Sequence, residues 1–267
     1  DLYRISHPLC LFYKLNLNVW LMISTCMNCG TTVKGSFCSH CGQSANTHRI
    51  STHFLWHDIQ HGLLHVDKGI LFSAKELFTR PGHRIREFLE GKRVKHFKPV
   101  SLVLILAGIY GFLSHYFHIN LLANNIQIKG SGEKFEEMRK VVASSSEWLA
   151  SHYSMFSLLQ IPVLATGTWL LFKRAGYNFM EHIIIHSFLT GQRLIIRIIT
   201  FPLFYAFSET STLRTVARIT DLVAFTIAFW SLYQLFKTIP KWQRAIRTAG
   251  SFAITCAITF TVMFILF

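Results

Sequence analysis

Five long apolar runs mark residues 99–267, and a mostly polar region precedes them. Residues 99–119, 154–172 and 248–267 contain no Asp, Glu, Lys or Arg; 183–207 holds Arg193 and Arg197, and 219–236 holds Asp221. A helix crossing about 30 Å of hydrocarbon needs about 20 residues. The pattern therefore predicts an all-α polytopic membrane domain over 99–267 with about five spanning helices, at 99–119, 154–172, 183–207, 219–236 and 248–267.

Residues 48–98 read differently. Phe54, Leu55, Ile59, Leu63 and Val66 form one apolar stripe at helical spacing. Pro81-Gly82 divides the region into two helices, and Gly91 ends the second, which runs over about 83–90. The segment is amphipathic, His-rich and basic, and it leads into the first span. Further upstream, the apolar run Leu9–Leu21 is interrupted by Lys14, Asn16 and Asn18, which makes it a poor span. Met22 is a plausible start, so residues 1–25 are expected to be a non-native or disordered leader.

Only 15% of the residues are charged, against roughly 25% in soluble domains, which agrees with lipid as solvent. The net charge of +14 would suggest nucleic acid in a soluble protein. Here it reads as retention charge and contact with anionic lipid headgroups. Eight Lys and Arg fall between Lys75 and Lys98, Lys173-Arg174 follow the second run, and Lys237, Lys241, Arg244 and Arg247 follow the fourth. The loop 120–153 is balanced, with four basic and four acidic residues. This alternation predicts a multi-pass protein of the inner (cytoplasmic) membrane with a cytoplasmic N-terminus.

Cys26-Met27-Asn28-Cys29-Gly30 and Cys38-Ser39-His40-Cys41-Gly42 are two C-x-x-C-G knuckles, eight residues apart. Each presents two thiolates on a tight turn. Together they offer Cys26, Cys29, Cys38 and Cys41 as a closed, structural tetrahedral zinc site over residues 26–43. A redox C-x-x-C comes singly beside a βαβ pattern, which is missing here. With so little apolar sequence, the fold of this ribbon depends on its metal.

His53, His57, His61 and His65 recur at intervals of four, a spacing that places them on one helical face. They span about 18 Å of helix, so they cannot share one ion. A neighbouring pair completed by Asp58 or Asp67, and further on by His182 and His186 beside Glu181, is a candidate second metal site. The bland alternative, a helix lying at the headgroup boundary, is the commoner one. Arg193 and Arg197 lie one turn apart, with Asp221 and Glu209 the nearest acidic candidates. Arginine in a span is costly and faces a bundle interior or a wet cavity. Equally, Gly191 and Pro202 allow that run to be re-entrant or interfacial.

The combination C-x-x-C-G…F-C-x-x-C-G-Q, HDIQHGLLHVDKG, KELFTRPG and EFLEGKR, followed by a first apolar run, resembles a bacterial membrane family known only as domain of unknown function number 3667. The likeness is close over residues 26–115. It implies a zinc ribbon fused to a multi-spanning domain, and no activity or catalytic residue. The function expected is a scaffold or adaptor whose ribbon docks a cytosolic protein or braces the membrane domain. Nucleic acid is not expected as a partner, because Lys34 is the only Lys or Arg within 26–43. The alternatives are a metal-dependent membrane enzyme or metal transporter built on the His-rich helix, and an anion transporter built on the Arg pair.

Overall fold

The computed structural model of the chain describes residues 11–12, 22–47, 49–52, 69–119, 121, 130–208 and 210–266. Three short strands come first: β1 (Leu11–Phe12), β2 (Met22–Thr25) and β3 (Thr32–Val33), antiparallel in the order β1-β2-β3. β2 and β3 pair Ser24 with Val33 and Thr25 with Thr32. β2, which leads into the first cysteine, and β1, which pairs with it, both lie inside the stretch read as a leader. Backbone pairing of Ser24 and Thr25 with β3, a short hairpin contact, joins β2 to the cysteine unit.

The helices described are α1 (Gly69–Thr79), α2 (Pro81–Leu89), α3 (Pro99–Tyr116), α4 (Glu133–Ser151), α5 (Tyr153–Phe172), α6 (Phe179–Ile199), α7 (Phe201–Ala206), α8 (Thr212–Leu235) and α9 (Lys241–Leu266). Prolines open α2, α3 and α7, where the missing N–H costs nothing. Among the described residues three helical stretches are long and apolar enough to cross a membrane: Pro99–Tyr116, Tyr153–Ala175 and Thr212–Leu235. These are the first, second and fourth of the five expected spans, so the count of five is not reached on these grounds.

The third expected span departs most from its sequence reading. A continuous helix over 183–207 is replaced by α6, ending at Ile199, and the separate short α7. Thr200 caps α6 with its hydroxyl bonded to the Ile196 carbonyl at 2.9 Å, and Pro202 in the first turn of α7 cannot extend the ladder. Helix α6 also starts earlier than expected. Asn178 caps it by accepting from the Glu181 N–H at 2.8 Å, while the Glu181 carboxylate accepts from the Asn178 N–H at 2.7 Å, a reciprocal capping box. The fifth expected span falls within α9, which begins already at Lys241.

Helix α6 occupies the centre of the bundle. It packs on α3, α5 and α8 and touches α1, α2 and α7, and 13 of its residues are buried. Ile184, Ile185, Phe188 and Leu194 join Leu102, Val103, Phe172, Leu232 and Phe236 in one core. Helix α9 lies against α5 on the far side, where Gly167 lets the backbone approach Ser251 and Thr255, the small-residue packing favoured between membrane helices.

Candidate metal centre and the polar interior

The two knuckles fold in the same way. Gly30 N–H reaches the Cys26 carbonyl at 2.8 Å, and Gly42 N–H the Cys38 carbonyl at 2.9 Å. Cys26 N–H then bonds the Thr31 carbonyl and Cys38 N–H the Gln43 carbonyl, at 2.9 and 2.8 Å. Both turns need a residue in the left-handed region, and the glycines supply it with φ of 76° and 75°. The result brings four sulfurs together. Cys26 and Cys41 Sγ are 3.6 Å apart, Cys29 and Cys38 Sγ 3.5 Å, and all four ligand atoms lie within 4.8 Å of one another. Among the described residues this is the one group of three or more Cys, His, Asp or Glu side chains placed to hold a metal ion.

Their acidities differ with their surroundings. Burial pushes the Cys26 thiol up to about 11. Hydrogen bonds from the Thr31 hydroxyl and backbone pull Cys29 down to about 6, and the Gln43 backbone lowers Cys41. Cys26 and Cys38 are buried and Cys29 is exposed. A divalent ion held by these four residues would take all of them as thiolates and remove these differences.

The ribbon is fastened to the bundle through side chains that the cysteine pattern does not single out. Gln43 donates to the Gly91 carbonyl at 2.8 Å and accepts from the Arg93 N–H at 3.1 Å. A single buried amide therefore satisfies both sides of the turn between α2 and α3. Six residues on, Arg49 grips Glu181 with Nε and Nη2, each at 2.8 Å, and Nη2 also reaches the Gly176 carbonyl at 2.6 Å. Asn178 donates to the Ile50 carbonyl at 3.0 Å. Glu181 is thus at once the capping carboxylate of α6 and the anchor for the segment that leaves the ribbon. The "G-Q" after the second knuckle was visible in the sequence, but its partner 48 residues away was not.

Of the candidate second-metal residues, His57, Asp58, His61, His65 and Asp67, like His53, lie outside the described residues, as does Glu209. His182 and His186 are buried and converge on one hydroxyl. Thr168 Oγ1 is 2.9 Å from His182 Nδ1 and 3.0 Å from His186 Nε2, while His182 Nε2 is buried without a partner among the described residues. Deeper along the same helix, Arg197 meets Asp221 at 2.7 Å and the Tyr153 hydroxyl at 3.4 Å, with Tyr110 under its guanidinium at 5.8 Å. Arg193 does not reach Asp221 directly; its hydrogen bond goes to Gln160 Oε1 at 3.2 Å. Thr168, Gln160 and Tyr153 were not singled out as site residues because their types are ordinary in an apolar helix. Only the pairing of α5 with α6 gives them a role.

Residues 67–111 match the family described as "Protein of unknown function (DUF3667)". The matched stretch holds α1, α2 and most of α3, and the cysteine ribbon lies outside it. No curated protein and no solved structure matches the chain.

Proposed function

We propose that this protein is an integral membrane scaffold whose ribbon holds a structural zinc ion and braces the cytoplasmic end of the helical bundle. The observation that carries this reading is the Gln43 clamp on Gly91 and Arg93, reinforced by Arg49 on Glu181. Four convergent cysteines with no side chain left over suit a closed zinc site, which stabilises a fold and does no chemistry. The ribbon sits at the end of the bundle where Lys92, Lys95 and Lys98 lead into α3, Lys173 and Arg174 leave α5, Lys237 follows α8 and Lys241 opens α9. Such a basic end faces the cytoplasm and anionic headgroups. This supports an inner-membrane location in a bacterial cell.

Two further crossings complete the proposed topology. Helix α6 pairs with α5 along its length, from Thr168–His182 at one end to Tyr153–Arg197 at the other, so it traverses wherever α5 does. Helix α9 packs along α5 from the other side. Five crossings follow, with the ribbon cytoplasmic. A second role, docking a cytosolic protein, is favoured by Phe37, which is 67% exposed beside the second knuckle.

Metal analysis of the full-length protein in detergent tests the reading. It should give one zinc per chain, lost in a Cys26→Ser/Cys29→Ser variant. Two metals per chain, one surviving in that variant, would support instead the enzyme or transporter built on the histidines.

A further inference from the structure

Two guanidinium groups and one carboxylate meet where α5, α6 and α8 come together. Asp221 answers Arg197. Arg193 has, among the described residues, no carboxylate within ion-pair distance, and its one hydrogen bond is to the neutral Gln160. A guanidinium carries five N–H donors. Among the described residues the Nε–H of both arginines is buried without an acceptor, and Ser157 Oγ, on the α5 turn between Tyr153 and Gln160, is buried without a partner as well. All these groups lie on facing sides of α5 and α6. A partly buried cation with no carboxylate in contact is unfavourable, the more so between helices that cross a bilayer. What the cluster offers is donors in excess, a net positive charge and fork geometry, the combination that selects oxyanions.

A cavity lies beside it, on the other side of Tyr153. A cavity of about 320 Å³ lined by Gly108, Gly111, His115, Ser151 and Tyr153 opens where α3 and α5 meet the end of α4. Tyr153 forms a wall of that cavity and also hydrogen-bonds Arg197, so the tyrosine stands between the cavity and the arginines.

We propose that Arg193 and Arg197, with Gln160, Ser157 and Tyr153, form an anion-binding site within the helical bundle that takes phosphate oxygens, either of free phosphate or of a lipid headgroup reaching in from the end opposite the ribbon. This site is independent of the metal centre. It gives the arginine pair a role that bracing by the ribbon does not require.

The test is thermal unfolding of the delipidated full-length protein in a maltoside detergent, at constant ionic strength set with chloride. Inorganic phosphate is titrated in one arm and phosphatidylglycerol in mixed micelles in the other. A probe that binds raises the midpoint by roughly 3 to 6 °C at tenfold excess over its dissociation constant. A rise with inorganic phosphate identifies the free anion, and a rise with phosphatidylglycerol alone identifies the headgroup. In Arg193→Gln either rise should disappear, while the midpoint in chloride alone should stay level or increase, because the uncompensated cation is gone. Should that variant fail to fold, equilibrium dialysis of phosphate and native mass spectrometry of bound phosphatidylglycerol on the wild-type chain decide: one equivalent of either supports the site. The proposal is overturned if neither probe acts beyond chloride, if neither binds the wild type, or if Arg193→Gln keeps the shift.

Discussion

His96, just ahead of α3, is packed edge-on against Phe72 and Phe88 with ring centroids 5.8 Å away, and against Phe188 at 6.4 Å. Burial in this aromatic box, helped by the nearby Arg84 guanidinium, holds its imidazole down at about 4. The folded protein therefore keeps His96 neutral at a pH where the unfolded chain is already protonated. Stability from this residue is complete above about 6.5 and falls as the pH drops toward 4, by about 3 kcal/mol in all. Urea or thermal unfolding between pH 7 and 4 should show that slope in the wild type and a shallower one in His96→Leu; equal slopes would dismiss the role. Below that window Glu76 takes over. Hydrogen bonding to Arg84 lowers its carboxyl, so its contribution is present above the ordinary carboxylate range and is lost as the pH falls through the depressed value. At the ribbon, Gln43→Ala removes the bonds to the Gly91 carbonyl and the Arg93 N–H, at a cost of about 1–3 kcal/mol. Zinc content should not change, and the Arg93 amide should exchange with solvent much faster; an unaltered rate there would mean that the clamp is not formed.

Helix α2 meets the end of α8 almost backbone to backbone. Gly82 N–H bonds Gln234 Oε1 at 3.2 Å, Arg86 donates to the Gln234 carbonyl at 2.7 Å and to that of Leu235, and a Cβ on Gly82 would run into the Leu235 nitrogen at 2.5 Å and the Ser231 carbonyl at 2.7 Å. Gly82→Ala should therefore force the helices apart and cost about 1–3 kcal/mol, read as a lowered midpoint; an unchanged midpoint would show that the contact is looser. At this scale the sequence was legible where hydrophobicity alone decides. The runs at 99–119, 154–172 and 219–236 correspond to α3, α5 and α8, and Pro81-Gly82 and Gly91 mark the limits of α2. It was misleading at 183–207, because the central α6 is buried by protein on several sides and tolerates Glu181, His182, His186 and Gln192, so hydropathy understates where it begins. Where it ends is set by Thr200 and Pro202, a local signal weaker than the run of isoleucines before it.

For the whole molecule, the knuckle spacing located the four cysteines that converge, since two tight turns carry their geometry with them. It could not tell what the ribbon rests on. That depends on Gln43, Arg49 and Glu181, whose partners lie 48 to 132 residues away. On the proposed reading, these contacts couple the four-cysteine cluster to the helical domain. The matched family segment, 67–111, contains the surface on which the ribbon sits, including Gly91 and Arg93. Amide hydrogen exchange of the full-length protein, before and after zinc is stripped with a chelator, tests this coupling most directly. Exchange should accelerate within 26–43 and equally at Lys92–Arg93 and in the first turn of α6 around Glu181. Acceleration confined to 26–43 would contradict the account and leave the ribbon a freely tethered module.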